Sequence, residues 1–364
     1  MSSSQTYSPF RSVLLREWRR MTSRCLYFGV CIILPLFTLF FMATIFGNGQ
    51  MENIPIGIVD QDNTASSRAI TRNISAVPTF KVTRHFVNEE AARKAVQKKE
   101  IYGYLSIPPK FEQDAISGKN TTLSYYYHYA LLSVGGELMA AFETSLAPVS
   151  LSPIVMQAVA LGVEQDKITT FLLPVQASNH PIYNPSLDYS VYLSQPFFFV
   201  LFQVLILLIT VYAVGIEIKF RTADEWLFVA KGNMVTAVLG KLLPYTIIFI
   251  LIGWLANYVM FGILHIPFQG SWLLMNMLTA LFVVATQALG LFLFSLFPAI
   301  SLIISIVSMV GSLGATLSGV TFPVTNMYPL VRDASYLFPV RHFTEMMQNM
   351  LYGGSGFIYL WPSV

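Results

Sequence analysis

Between Lys241 and Arg332 the chain runs for 90 residues without a single Asp, Glu, Lys or Arg. A soluble domain carries roughly one charged residue in four, so such a stretch argues against an ordinary soluble fold. Two shorter charge-free windows precede it, Cys25 to Met51 (27 residues) and Tyr189 to Ile216 (28 residues). A helix needs about 20 apolar residues to cross a hydrocarbon layer of about 30 Å. Each short window therefore holds one span, and the long window holds several. The chain reads as a polytopic α-helical membrane protein.

Turn chemistry sets the boundaries. The first span is expected over Leu26 to Phe46, kinked at Pro35, and the second over Val191 to Val214. The third covers Leu242 to Gly262 and ends before His265, Pro267 and Gly270. The fourth covers Trp272 to Leu296, stopping at Pro298, and the fifth covers Leu302 to Val320, stopping at Pro323. Phe357 to Val364 begins a sixth span, but eight residues reach only about 12 Å. The apolar run after the first arginines is too long for a signal-peptide core, so a cleaved leader is not expected.

Lys and Arg set the orientation. Arg11, Arg16, Arg19, Arg20 and Arg24 crowd the N-terminal flank against one acid, Glu17, and Lys219, Arg221, Lys231 and Lys241 mark the 215–241 loop. Both segments are expected in the cytoplasm, which leaves residues 52–188 outside. Pro9 to Ser23 sets Val13, Leu14 and Trp18 among arginines, the pattern of a helix lying in the cytoplasmic interface; the alternative is a basic flank with no defined helix.

The outside region, residues 50–188, alternates strand and helix signals. Ile54–Asp60, Phe80–Val87, Ile101–Ile107 and Thr121–His128 read as strands; Glu89–Lys99, capped by Asn88, and Pro109–Ser117 read as helices. This describes an inserted α/β domain. Residues 131–170 read as helix broken near Pro148 and Pro153, and Pro174 to Pro185 as irregular. Asp60 and Asp62 suit caps of the following helix better than catalysis. Tyr125, Tyr126, Tyr127 and Tyr129 suit packing better than a ligand platform.

Several chemistries are excluded or weakened. No Gly-x-x-x-x-Gly-Lys-Ser/Thr loop is present, and Gly240-Lys241 lacks both the upstream glycine and the hydroxyl. His85, His128, His180, His265 and His342 show no metal-ligand spacing. Gly353-Gly354-Ser355-Gly356 matches a short serine-protease pattern but has no helical His partner. Cys25 and Cys31 both fall in the first apolar segment, so they supply no disulfide framework elsewhere. A net charge of +3 gives no reason to expect nucleic acid. Of 41 charged residues none is expected inside a span. An ion-coupled carrier normally buries such groups, so the driving force is expected to arrive at the cytoplasmic surface. In the fifth span Gly311, Ala315 and Gly319 recur at every fourth position, with Ser308 and Ser312 alongside. That stripe suits packing within the subunit, a dimer seam or a pathway lining equally well.

Three regions then bear on family. Ile54 to Asn63 (IPIGIVDQDN) precedes Tyr104 to Phe111 (YLSIPPKF). Glu217, Thr222, Glu225 and Leu227 lead into Gly240-Lys241-Leu242-Leu243-Pro244-Tyr245. Ser318-Gly319, Phe322-Pro323, Met327-Tyr328-Pro329, Ser335-Tyr336 and Pro339-x-Arg341-x-Phe343 close the set. In this order they resemble the permease subunit of type-2 ABC exporters, in the subfamily with a large external domain between its first two spans, over nearly the whole chain. Arg221, where that family usually has Gly, and Lys231-Gly232-Asn233, in place of a common Thr-Pro, depart from the pattern.

The resemblance implies a six-span permease fold, its last span incomplete here, in a bacterial inner membrane. It implies no catalytic, cofactor or metal site in this chain; ATP and magnesium would bind a partner ABC ATPase. A second permease copy or homologue, membrane lipids and possible contact with a periplasmic adaptor complete the partners, without nucleic acid. Thr222 to Ala230 would form a coupling helix, with Glu217, Thr222, Glu225, Trp226, Leu227 and Phe228 as coupling residues and the last three of these its apolar contact face. Pro323, Pro329, Pro339 and Arg341 would shape an external re-entry over residues 321–356. The substrate expected is apolar or amphipathic. The alternative is a membrane-anchored assembly or signalling scaffold whose external domain is the working part.

Overall fold

The computed structural model describes residues 8–23, 27, 29–45, 49, 51–117, 119, 121–160, 188 and 190–352. Readings placed on residues 161–187, on the glycine-rich turn 353–356 and on the segment 357–364 lie outside the described residues.

In chain order, α1 is Pro9–Ser23 and α2 is Gly29–Ile45, which starts as a π-turn and becomes α-helical at Leu34. Then come β1 (Ile54–Asp60), α3 (Ala65–Ser75), β2 (Phe80–Phe86), α4 (Glu89–Gln97), β3 (Gly103–Ile107), α5 (Phe111–Ile116), β4 (Ser124–Tyr127) and α6 (Leu132–Ala160). The rest is helical: α7 (Ser190–Lys219), α8 (Ala223–Val229), α9 (Met234–Ile263), α10 (Trp272–Leu296), α11 (Ile300–Leu317), α12 (Pro329–Ser335) and α13 (Pro339–Tyr352). These form two compact units, Gln50–Pro185 and the remainder, Met1–Gly49 with Ser186–Val364.

The first unit is a four-stranded sheet in the order β2-β1-β3-β4, with β1 parallel to both neighbours and β4 antiparallel at the edge. Helices cover both faces, which is why β1 reads as a nearly continuous apolar run. Ile54 and Ile56 pack with Ile70 and Ile74 of α3 and with Phe142 of α6. Val59 packs on the other face with Ala92 and Ala95 of α4. Local signals fix the helix starts. Thr64 and Ser67 form a reciprocal capping box at α3, and Asn88 accepts the Ala91 N–H at 2.9 Å at α4. Asp60 and Asp62 are not the caps: Asp60 Oδ1 accepts the N–H groups of Asp62 and Asn63, both at 3.0 Å, and so shapes the turn that delivers Thr64. The tyrosines pack on one another and on the core, with Tyr104 stacked on Tyr126 at 4.8 Å and Tyr125 on Phe142 at 5.1 Å. Helix α6 passes through Pro148 and Pro153 without the expected break.

In the second unit α7, α9, α10 and α11 are long and apolar enough to cross a membrane, and α2 is a shorter apolar helix of 17 residues. Helix α7 is central, mostly buried, and contacts α9, α10, α11 and α13. Outward ridges such as Ile247, Leu251, Trp254 and Tyr258 on α9 stay apolar, as expected of helices solvated by lipid. Polar groups turn inward and pair: Gln195 donates to Asn257 at 3.2 Å, and Asn257 to Asn276 at 3.1 Å and Thr279 at 2.9 Å.

The structure adds charge to the helix ends. Helices α7 and α9 each run for 30 residues, and so include Glu217 and Lys241, both fully buried. Thirty residues rise about 45 Å, well beyond the hydrocarbon thickness. The helix ends therefore reach a region where a paired charge is tolerated.

Candidate functional site

Five charged side chains from three helices converge at one end of α7 and α9. Helix α1 buries one stripe, Val13, Glu17 and Met21, against α9. The approach is close because residue 240 is glycine: a Cβ there would stand 3.1 Å from Val13 Cβ and 3.3 Å from the Phe10 carbonyl oxygen. One residue on, Lys241 Nζ lies 2.6 Å from Glu17 Oε2 and 2.7 Å from Glu217 Oε1. Tyr245, one turn along α9, donates its hydroxyl to Glu17 Oε1 at 2.7 Å. The Gly-Lys-Leu-Leu-Pro-Tyr run thus supplies the gap, the cation and the donor that fix Glu17.

Glu217 is the hub. Arg16 grips it bidentately, Nη1 to Oε1 at 2.8 Å and Nη2 to Oε2 at 3.1 Å. Arg20 and the Thr222 hydroxyl also donate to it. Three cations, two of them partly exposed, therefore share two buried carboxylates, and every carboxylate oxygen is bonded. Burial works against the Arg20 charge, but the hydrogen bond to Glu217 and the attraction of Glu17 and Glu217 outweigh it, holding the guanidinium above its ordinary value. A buried ion pair adds little net stability over an apolar replacement, yet removing one partner costs about 3–5 kcal/mol. The cluster's value is registration: it locks α1, the end of α7 and the start of α9 together.

Helix α8 hangs from this cluster. Trp226 is 4% exposed; its Nε1 donates to the Ala237 carbonyl at 3.2 Å, and its ring lies 5.4 Å from Lys241 Nζ. Trp226 thus anchors α8 from behind and is not on an outward face, which corrects its assignment as a contact residue. Glu225 is exposed, Leu227 is half-buried, and Phe228 is 84% exposed. Of the six coupling candidates, Glu217, Thr222 and Trp226 join the cluster while Glu225, Leu227 and Phe228 do not. Sequence reasoning missed Glu17, Arg16, Arg20, Lys241 and Tyr245 as members. The available signals were one acid among five arginines and the four-residue spacing of Lys241 and Tyr245.

Arg221 takes φ 55°, Lys231 φ 53° and Gly232 φ 76°, so the chain bends through left-handed residues on each side of α8. Glycine adopts this conformation without strain. Arg221, at the position where the resembled family usually has Gly, keeps the backbone shape without the glycine.

The remaining candidates lie away from the cluster. Gly311 faces α7, where a Cβ would meet Val204 Cγ2 at 2.7 Å; Ser308 and Ser312 are exposed on α11 and bond their own helix backbone. Ala315 is half-buried, and Gly319 takes φ +85° just past the helix. Pro323 caps a short 3-10 turn, while Pro329 and Pro339 open α12 and α13. Arg341 is buried, donates to Ser335 Oγ at 2.5 Å and the Arg332 carbonyl at 3.2 Å, and stacks 3.7 Å over Tyr336. It pins the α12–α13 corner. Among the described residues no group of three His, Cys, Asp or Glu side chains could hold a metal.

Long apolar helices, with an ion-locked helix at the end of two of them, define a polytopic membrane protein that also carries an α/β unit. The chain belongs to the ABC-2 family transporter proteins, whose family pattern matches residues 26–364. It is 21% identical to the inner membrane transport permease YhhJ of Escherichia coli K12 over 332 residues, covering 86% of this chain and 81% of that one. It is also 21% identical to the probable multidrug ABC transporter permease YbhS of the same organism over 352 residues, 95% of this chain and 89% of that one. No solved structure matches. The protein is a multi-pass transport permease, and its family implies an ABC ATPase as partner.

Proposed function

We propose that this chain is the permease of an ABC export system, driven by ATP hydrolysed on a separate subunit docked against α8. The observation that carries this is the pairing of an anchored face with a free one on a single short helix. Trp226 fixes α8 to the ion cluster, and Phe228 stands clear of it. A push on Phe228 is passed through Trp226 and Lys241 to α1, α7 and α9 together, so these helices move as one body between discrete packings.

In this reading residues 52–188 lie outside the membrane and the N-terminus inside. Two permease copies pair, with the exposed Ser308 and Ser312 face of α11 at the seam or pathway; Gly311 serves packing within the subunit. The substrate is apolar or amphipathic. An apolar cavity of about 160 Å³ lined by Tyr27, Val30, Leu208, Ile209, Tyr212 and Ile304 supports that class, as does the multidrug description of YbhS. The outer unit offers a surface to a periplasmic adaptor.

The test is reconstitution of the permease with its co-purified ABC ATPase in proteoliposomes. The expected result is ATP-dependent outward movement of a hydrophobic dye that Phe228→Asp abolishes while assembly of the permease itself persists. ATP-dependent movement unchanged by Phe228→Asp overturns the coupling assignment, and gentle extraction that yields no subunit with a Walker loop overturns the export reading.

A further inference from the structure

The sheet unit carries a cleft that the transport reading leaves unused. Strand β1 leads to α3 on one face of the sheet, whereas its neighbour β2 leads to α4 on the other. Ligands of open α/β sheets bind outside the carboxyl ends of the strands. An open cleft of about 930 Å³ lies there, bounded by the end of β1, the end of β2 and one side of α3.

Its chemistry is specific. Arg68 and Arg72 line it one helical turn apart, and among the described residues neither is paired with a carboxylate. Arg68 is steadied by donating to the Asn63 carbonyl at 2.8 Å, which leaves most of its donors free. Asp60 also borders the cleft, but its oxygens are engaged by the turn N–H groups and by Ser67 Oγ at 2.7 Å, which holds it away from the guanidiniums. Thr71 and His85 add further polar groups. The apolar part of the lining is Phe86, Pro109 and Val87, which is 88% exposed.

We propose that this cleft binds a small amphiphile with an oxyanion head group. The head, a phosphate or carboxylate, accepts hydrogen bonds from Arg68 and Arg72, whose planar forks match such groups. The short apolar tail covers Val87, Phe86 and Pro109. The site is contained within the α/β unit and does not depend on the export reading.

The test is calorimetric titration of the purified full chain in nonionic detergent with hexyl phosphate, inorganic phosphate and hexanol. Hexyl phosphate should bind saturably, one per chain, at least tenfold more tightly than inorganic phosphate, and hexanol should show no saturable binding. Arg68→Gln with Arg72→Gln should weaken hexyl phosphate at least tenfold. Val87→Ser should weaken hexyl phosphate but not inorganic phosphate, and Lys98→Gln, just past the end of α4, should change neither. No saturable hexyl phosphate binding, equal affinity for hexyl and inorganic phosphate, or binding indifferent to the arginine substitutions overturns the proposal.

Discussion

Lys241 Nζ lies 2.6 Å from Glu17 Oε2, joining residues 224 positions apart in the sequence. The same ammonium holds Glu217 at 2.7 Å, so one side chain ties the N-terminal helix to two membrane helices. Its loss leaves Glu17 with Tyr245 and Arg20 alone in a buried site. Lys241→Met should destabilise the helical unit by about 3–5 kcal/mol. Adding Glu17→Gln should recover part of that loss, because the orphaned charge is then gone. Melting of the detergent-solubilised protein checks both; simple additivity of the two substitutions contradicts the pairing.

Trp226 and Phe228 should separate cleanly. Trp226→Ala removes the ring over Lys241 and the bond to Ala237, and should cost about 3–5 kcal/mol as a large buried aromatic. Phe228→Ala should leave the melting temperature within the spread of surface substitutions, about 0.5 kcal/mol. It should nevertheless lower ATPase-linked activity. A Phe228→Ala protein that is unstable, or a stable Trp226→Ala protein, contradicts the anchored-face assignment.

Arg221 holds a left-handed backbone at φ 55°. An L side chain pays roughly 1–2 kcal/mol there, partly returned by the larger unfolded-state freedom of glycine. Arg221→Gly should therefore stabilise the protein by roughly 0.5–1 kcal/mol, seen as a higher melting temperature. A lower one shows that the Arg221 side chain makes a compensating contact.

On α11 the two faces should respond oppositely. Gly311→Val must fit a Cβ 2.7 Å from Val204 Cγ2 and should cost about 1–3 kcal/mol by overpacking against α7. Ser308→Val and Ser312→Val point outward and should leave monomer folding intact. Thermal melting of the three proteins decides this.

Glu137 on α6 is half-buried, and burial raises its carboxyl above the usual range. A raised folded value means the folded state binds this proton more tightly than the unfolded state does. The unit should accordingly be most stable, on this account, below the ordinary carboxylate range, and lose that stability as pH rises through the shifted value. Glu137→Gln should remove this dependence, measured as melting temperature against pH. An unchanged profile contradicts it.

Much of the architecture was legible from local signals. Strand β1 appears over Ile54–Asp60 as read, because its apolar run needs cover on both faces, and α10 appears over Trp272–Leu296 because Ser271 and Pro298 bracket it. What failed involved long-range electrostatics. Glu217 and Lys241 mark loop in sequence, since a span is expected to exclude charge; only the fold reveals that each neutralises the other within helix ends. Trp226 looks like a surface anchor for a partner until Ala237 and Lys241 are seen to occupy it. The break expected at Pro148 and Pro153 did not form because α6 continues past both prolines. Gly311 was equally suited to three roles until its Cβ direction pointed at Val204.

The most direct measurement of the coupling account is photo-crosslinking from a benzophenone side chain placed in the assembled transporter, at Phe228 in one protein and at Ala230 in another. Ala230 is buried two residues away on the same helix end. The account predicts a covalent adduct to the ABC ATPase from position 228 and none from position 230. No adduct from 228, in a complex shown to contain the ATPase, would contradict it.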